Sequence, residues 1–292
     1  MLYDVRLTLS YRYASKALNA RNLLRVMPAQ RSGVQRVIAG SLTADPTPGE
    51  RTDRSDFFGN AVTELRFDQA LKTQRFHLSA RVERLARPTE LDLSARLTDL
   101  PRILRETGSL SPEAPSHFLA PSPAVPTVKD IAAYARAQTA RAGTVLEAVA
   151  ALGSAIRRDM RFDNAATEVD TPVAEAFAKR NGVCQDFSHV MIGGLRALGV
   201  PAGYVSGFLR TLPPPGQARL EGADAMHAWV RAWCGTQTGW VEYDPTNDLM
   251  VGADHILVAI GRDYTDCAPV RGALRAFGEQ ASDQKVDVIL VR

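Results

Sequence analysis

Cys184 is the residue best placed to do chemistry, because it lies where a loop is predicted to become an amphipathic helix, in NGVCQDFSHVMIGGLRALGV. A cysteine attacks as the thiolate, and its ordinary pKa of about 8.5 must be lowered by a helix N-terminus or a nearby cation. The predicted helix start supplies the first of these. The alternative role is burial, since free cysteine is among the most buried residue types.

A nucleophilic thiol also needs a histidine that the fold brings to it. The chain has five histidines, which are His77, His117, His189, His227 and His255. His189 follows Cys184 by five residues, which places it about 140° away around the helix, so we expect it at the surface or at a cap. The first two histidines lie in a β-rich and a proline-rich segment. The last two remain, each at the start of a predicted strand.

His227 has a direct geometric argument, because it can share a hairpin with Asp244. Pairing the two directly leaves a four-residue loop, 234–237, which is a common hairpin length. A register shifted by two residues places Asp244 opposite Trp229, diagonal to His227 and still within reach. In either register the carboxylate would fix the imidazole tautomer and stabilise its charged form. No argument as direct applies to His255.

The remaining site candidates are an oxyanion donor and the cleft wall. The backbone N–H of Cys184 is the expected oxyanion donor, and the side-chain and cleft candidates are Gln185, Trp229 and Arg231. A zinc site is the alternative use of the thiol, the carboxylate and the two strand histidines, but these residues lack the short paired spacing of structural zinc sites. No acidic calcium-type loop is apparent, so we expect no metal and no cofactor.

These residues must be positioned by two predicted units and a connector. Residues 1–92 predict a β-rich domain, a sandwich or barrel-like module, from the alternating stretches YDVRLTLSYRY, GVQRVIAGSLTA, NAVTELRFD and RFHLSARVERL. The stretch ADPTPGERTDRSDFFGN reads as turn-rich. Residues 93–126 predict a proline-rich connector with a short helical piece near 99–106.

Residues 127–292 predict an α+β domain in which helices come first and an antiparallel sheet follows. Thr127 and Thr171 are the expected N-caps of its first and third helices, and the helix of Cys184 comes next. The predicted strands are AGYVSGFLR, MHAWVRAW, GWVEYDPT, HILVAIG and KVDVILVR. The loop TLPPPGQARLEGADA is expected either to border the cleft or to extend into solvent.

Composition limits the function classes. The 292 residues are 45% hydrophobic and carry a net charge of +3 from 35 basic and 32 acidic side chains, without a basic run that could follow a phosphate backbone. Nucleic acid is therefore not the expected partner. The N-terminus lacks a signal-peptide pattern, and no window reaches the roughly 18 apolar residues of a membrane span, so we expect a soluble, cytoplasmic protein. Three cysteines leave at least one free thiol, and the oligomeric state is open.

Three blocks of this sequence resemble the motifs of the transglutaminase-like superfamily, in a bacterial branch described as cysteine proteases: GVCQDFSHVMIGGLRALGVPAGYVSGF, DAMHAWVRAW and GWVEYDPTND. The resemblance continues through HILVAIGRDYTDCAPVRG, and the β-rich N-terminal half, with DFFGN, resembles the accessory domain of that branch. It implies a papain-like core with Cys184 as nucleophile, His227 as general acid and base, and Asp244 as the orienting carboxylate.

Two positions depart from the family pattern. Relatives commonly have an acidic residue where this chain has Arg231, and an arginine where it has Gly203. Arg231 shares a strand face with His227, so we expect an effect on substrate charge preference or on local electrostatics.

The predicted function is thiol-dependent acyl transfer on an amide or peptide substrate through a thioester. Water as acceptor makes the protein a cysteine protease or amidase, and an amine makes it a transglutaminase. The alternatives are a non-catalytic peptide-binding module on the same fold and, third, a zinc hydrolase.

Overall fold

The computed structural model describes residues 1–85, 91–211, 220, 222 and 224–291. The strands are β1 (Leu2–Leu24), β2 (Gln35–Asp45), β3 (Glu50–Ser55), β4 (Ala61–Phe67), β5 (Leu71–Arg84), β6 (Arg161–Phe162), β7 (Asn181–Gly182), β8 (Ala202–Leu209), β9 (Ala225–Trp233), β10 (Trp240–Asp244), β11 (Leu249–Met250), β12 (His255–Gly261), β13 (Val270–Arg275) and β14 (Gln280–Leu290). The helices are α1 (Leu100–Glu106), α2 (Lys129–Gln138), α3 (Val145–Asp159), α4 (Val173–Lys179), α5 (Cys184–Ala197) and α6 (Tyr264–Cys267), and a 3-10 turn covers Pro115–Phe118.

The N-terminal module is built around β1, which buries alternate side chains and serves two groups of strands. Its first half pairs with β5 on one side and β14 on the other, and β2 lies outside β5. Its second half pairs with β4 and β13, and β3 lies outside β4. The pairing is irregular between Arg12 and Ala17, where β1 passes from one group to the other. The predicted β-rich module is therefore confirmed.

The sequence prediction missed β3 and misassigned one end of the chain. All six residues of β3 are exposed, so this edge strand has no alternation of apolar and polar residues. The terminal strand β14, predicted as KVDVILVR within the unit 127–292, pairs with β1 in the N-terminal sheet, as does β13, which was not predicted as a strand. Which sheet a strand joins depends on long-range pairing, which its own period does not encode.

The helices begin where local hydrogen bonds allow, in two cases later than predicted. Thr144 caps α3, where its hydroxyl accepts from the Glu147 N–H at 3.2 Å and the Glu147 carboxylate accepts in return from Thr144 N. Helix α2 has Val128 as N-cap instead of Thr127. Helix α4 has Pro172, because the Thr171 hydroxyl already accepts from a backbone N–H of the preceding turn at 2.9 Å.

The second half contains an antiparallel five-stranded sheet in the order β11-β10-β9-β8-β12. Helix α5 packs against β8 and β9 through a buried apolar face, while α2, α3 and α4 surround the helix. The predicted α+β arrangement, with the thiol helix on an antiparallel sheet, is confirmed. None of the helices that the structure describes is both long and apolar enough to span a membrane.

Two buried amides of the N-terminal module cover the outer edge of β12. The Gln35 side chain accepts from Leu257 N at 2.9 Å and donates to Leu257 O at 2.8 Å. The Asn60 side chain bonds to Ile260 N and Ile260 O in the same way, both at 2.8 Å. Each amide thus takes the place of a neighbouring strand at an edge that would otherwise be open.

The connector contributes α1 near the predicted place and runs beside the second unit. Ala95 donates to Cys234 O at 2.8 Å and accepts from Val145 N at 2.9 Å. Two predicted features fall on residues outside the described ones: Pro88 at the start of the proline-rich stretch, and most of the loop TLPPPGQARLEGADA, residues 212–219, 221 and 223.

Candidate active site

Cys184 is the first residue of α5, as predicted, and its side chain is partly exposed. The helix start is held by Asp186, whose carboxylate accepts from Val183 N at 2.8 Å and from the Thr167 hydroxyl at 2.6 Å. At this position the Cys184 N–H points out of the helix end without an intrahelical acceptor. The thiol therefore lies at the positive end of a 14-residue helix.

The other two cysteines are placed differently. Cys234 and Cys267 are fully buried. Burial raises the pKa of Cys234 to about 12 and holds the pKa of Cys267 well above its ordinary value. Cys184 is thus the only cysteine of the three with access to solvent.

The hairpin of β9 and β10 joins His227 and Asp244. Trp240 pairs with Trp233, so the loop spans 234–239 and the register is the shifted one, diagonal rather than direct for His227 and Asp244. The first expectation, a loop over 234–237, is wrong, because Gly235 and Gly239 adopt positive φ angles and extend the turn. The His227 Nε2 atom still lies 2.8 Å from Asp244 Oδ2.

The Cys184 thiol belongs to the same group, because it is one of the groups that act on the pKa of the His227 ring. Burial by itself would lower the pKa of His227, but hydrogen bonds to Asp244 and Cys184, together with their charges, raise it to about 10. The imidazole therefore favours its cationic form, which is the form that stabilises a neighbouring thiolate.

The Asp244 carboxylate is fully buried and satisfied by five hydrogen bonds. Its Oδ1 accepts from Thr246 N at 2.9 Å and Asn247 N at 3.2 Å. Its Oδ2 accepts from the His227 ring, the Asn247 side chain at 2.7 Å and the His255 Nε2 at 3.0 Å. Burial would raise the pKa of Asp244, but the bonds from His227 and His255 hold it well below its ordinary value.

His255 also contacts Asp244, although the sequence argument did not select it. It begins β12, which pairs with β8, and β8 in turn pairs with β9. The position of HILVAIG after the Asp-Pro turn was a signal that His255 could approach Asp244. Interpreting it required the order of the strands in the sheet. His189, expected at the surface or a cap, is instead buried, and its Nε2 accepts from Tyr264 N at 3.2 Å.

Trp229 is fully buried and packs beside both imidazoles. Its ring centroid is 6.3 Å from that of His227 and 5.2 Å from that of His255. Its indole N–H donates to Glu242 at 3.0 Å. The side chain thus supports both histidine rings, while its N–H is directed to a carboxylate rather than to a substrate oxygen.

Gln185 and Arg231, the other two candidates, are both buried. The Gln185 amide donates to Val169 O at 2.8 Å, which ties the segment before α4 to the helix start. The Arg231 guanidinium stacks over the Trp240 ring at 4.1 Å, and only 4% of the residue is exposed. Its charge therefore acts on local electrostatics within the protein.

The two departures from the family pattern, Gly203 and Arg231, are direct cross-strand partners on β8 and β9. A Cβ at Gly203 would lie 2.7 Å from the Phe118 ring and 2.8 Å from Gly261 O, so no larger side chain fits there. Arg231 has Glu242 as its opposite partner on the other side. The two departures are therefore neighbouring changes at one place in the sheet.

The group offers metal-ligating atoms as well. His227, Asp244 and His255 present one ligand atom each, all within 4.8 Å of one another. In the structure these atoms bond to one another, with both Nε2 atoms directed at the carboxylate. This arrangement satisfies the carboxylate by hydrogen bonding alone.

Two family models and several relatives match this chain. Residues 132–245 match the family model of the transglutaminase-like superfamily, and residues 3–83 match the bacterial transglutaminase-like N-terminal region. Uncharacterized proteins of Mycobacterium bovis and Mycobacterium tuberculosis are 34% identical over 282 residues, which is 95% of this chain and 86% of theirs. A protein-glutamine gamma-glutamyltransferase of Pseudomonas aeruginosa is 30% identical over 186 residues, 59% of this chain and 25% of that protein.

A solved structure shares the fold over the whole chain. The "Putative Cysteine Protease" of Cytophaga hutchinsonii superposes with a TM-score of 0.75 at 22% identity, covering 100% of this chain and 91% of that one. The similarity extends through the N-terminal module as well as the core. The chain belongs to the transglutaminase-like superfamily, with the bacterial transglutaminase-like N-terminal region preceding the core.

Proposed function

We propose that the protein is a thiol-dependent acyltransferase that acts on amide or peptide bonds, with Cys184 as nucleophile, His227 as general acid and base, and Asp244 as the orienting carboxylate. One observation carries the proposal. A buried His227–Asp244 pair is joined at 2.8 Å, Asp244 and Cys184 together raise the pKa of His227 to about 10, and the Cys184 thiol is partly exposed at a helix N-terminus.

In the first half-reaction the Cys184 thiolate attacks the carbonyl carbon of the substrate amide and forms a carbon–sulfur bond. The carbonyl oxygen becomes an oxyanion, which the Cys184 N–H at the helix end is placed to stabilise. The C–N bond then breaks, the electron pair leaves with nitrogen, and His227 donates its proton to the departing amine. The product of this step is a thioester on Cys184 with a neutral imidazole beside it.

In the second half-reaction the neutral His227 takes a proton from the acyl acceptor, which attacks the thioester and releases the thiolate. Water as acceptor gives a carboxylic acid, and a primary amine gives a new amide. Asp244 stabilises the cationic ring in both halves without being protonated itself, since its own pKa is held well below the ordinary value.

The substrate in this proposal is a peptide or protein that carries the amide, and the location is the cytoplasm. The N-terminal module belongs to the same assembly, because Gln35 and Asn60 bond directly to β12, the strand that carries His255.

The test combines trapping and product analysis. The protein is incubated with a glutamine-containing peptide pool, with and without hydroxylamine, and intact mass is measured after an acid quench. We expect an acyl adduct on Cys184, hydroxamate in the presence of hydroxylamine, and neither in Cys184→Ala. The matched control is Cys234→Ala, which alters a buried cysteine outside the site. Undiminished turnover by Cys184→Ala contradicts the proposal, and peptide binding without any adduct supports the non-catalytic module instead.

A further inference from the structure

We propose that His255 is a positioning residue of this site, which holds the Asp244 carboxylate in the orientation that receives His227. The inference rests on the proposed function. It adds a second imidazole to the predicted group. Asp244 Oδ2 orients His227, the proposed general acid and base, and His255 in turn fixes the position of that oxygen.

The first observation is the division of partners around Asp244. The bonds to Oδ1, and one bond to Oδ2, come from Thr246 and Asn247 in the turn that directly follows the carboxylate. The other two bonds come from histidines on other strands. Both histidines bond to Oδ2, at 2.8 Å for His227 and 3.0 Å for His255. Within the described residues, His255 is therefore the long-range contact that fixes this oxygen independently of His227.

The second observation is the space in which the two rings converge. His227 on β9 is the cross-strand partner of Gly207 on β8, and Gly207 in turn pairs with Leu257 on β12. The ring centroids of His227 and His255 are 6.1 Å apart, and a Cβ at position 207 would lie 2.3 Å from the Trp229 ring, which contacts both imidazoles. Gly207 therefore leaves room for the indole that packs beside both imidazoles.

The third observation is the hydrogen-bonding state of His255. An Nε2 atom that bonds to an ionised carboxylate must carry a proton, so this nitrogen is the donor. The Nδ1 atom is buried and has no hydrogen-bond partner among the described residues. The ring is 3% exposed, and the Trp229 edge contact holds it in place. The bond to Asp244 is thus the one polar contact that the described part of the chain gives this imidazole.

The titratable groups that face His255 are Asp244 on β10 and His227 on β9, and Cys184 acts on the pKa of His227. Its sequence neighbour Asp254 is directed to the Tyr3 hydroxyl and to Arg210. Loss of the His255 donor should therefore affect the thiol only through Asp244 and His227.

The test compares three substitutions at position 255 by the rate at which iodoacetamide alkylates Cys184 between pH 5 and pH 9. His255→Leu keeps the apolar packing and removes the donor. His255→Gln places an amide N–H near the former Nε2, and His255→Asn places one near the former Nδ1, too far from Asp244. We expect alkylation at pH 6 to slow by up to about 100-fold in the Leu and Asn variants, because Asp244 and His227 are then misplaced, and to recover in the Gln variant. The kcat of acyl transfer should fall in parallel with KM unchanged.

Protection of Cys234 and Cys267 reports folding within the same experiment, because both are buried in the native protein. If the Leu variant loses this protection, it has not folded, and the inference is then tested by comparing the Cys184 alkylation rates of the Gln and Asn variants. Wild-type alkylation rates in a folded Leu or Asn variant overturn the inference, as does a Gln variant that is as slow as the Asn variant. Failure of the proposed function looks different, because the wild-type protein itself would then show no preferential labelling of Cys184.

Discussion

The indole of Trp229 lies across Gly207, so closely that a Cβ built at position 207 would be 2.3 Å from the ring and 2.2 Å from Ile256 O. The same indole contacts both imidazoles of the site. The absence of one side chain on β8 therefore lets three aromatic rings from β9 and β12 pack into one group.

Gly207→Ala should destabilise the protein and disturb the site together. The added methyl group meets backbone on one side and a buried indole on the other, so neither neighbour can give way cheaply, and we expect a loss of about 1 to 3 kcal/mol in the free energy of unfolding. Urea denaturation measures the loss. Gly252→Ala is the matched control, since a Cβ there meets nothing within 4 Å. Equal stability of the two variants would contradict this packing.

Iodoacetamide at pH 6 should label Cys184 selectively. An ordinary thiol is only ~0.3% ionised at this pH, whereas Cys184 has an imidazolium and a helix N-terminus beside it. Cys234 and Cys267 are fully buried, with pKa values raised by that burial. Peptide mass mapping should find one modified cysteine before denaturation and three after it. Similar slow labelling of all three cysteines in the native protein would rule out an activated thiol.

The stability contribution of His227 should decline as the pH rises from about 6.5 towards 10. The folded-state pKa of His227, about 10, lies above its ordinary value of 6.5, so the folded protein binds a proton that the unfolded chain has already lost. The contribution is complete below pH 6.5. We expect the difference in unfolding free energy between the wild type and His227→Gln to shrink over this interval. Gln237→Ala, at an exposed turn position, supplies the control, and its effect on stability should stay the same across this interval.

Asn60→Ala should weaken the contact between the N-terminal module and the core. Asn60 is fully buried, and its removal leaves Ile260 N and Ile260 O on the edge of β12 without these partners. Unsatisfied buried groups of this kind cost about 1 to 3 kcal/mol each, so a loss of at least about 2 kcal/mol is expected in urea denaturation. Gln237→Ala, at an exposed turn position, should change stability little. A loss no larger than that of the control would show that the edge amides are dispensable.

The sequence predicted those parts of the site whose geometry is local. Periodicity placed Cys184 at the start of α5, and the two-residue period of strands kept His227 and Asp244 on one face in either register. It could not choose between the registers, because that choice depends on the backbone of the turn, where Gly235 and Gly239 take positive φ angles.

The rest depends on contacts between distant segments. His255 reaches Asp244 only because β12 lies beside β8, and no pattern within HILVAIG encodes that neighbour. The same holds for β14, whose alternation predicts a strand but not its partner. The edge strand β3 was missed for another reason. All of its residues are exposed, so it has no buried face and no alternation of apolar and polar residues.

The pairing of β14 with β1 along the whole length of β14 has a consequence for synthesis on the ribosome. β1 emerges before the thiol helix and the hairpin of the site, and the strand that covers one of its edges emerges only after them. In the nascent N-terminal module, the edge of β1 that pairs with β14 therefore stays uncovered until β14 has been synthesised. An unpaired strand edge of this kind is prone to wrong pairing. A chain interrupted before residue 280 would hold every predicted catalytic residue and still lack the strand that closes its first sheet.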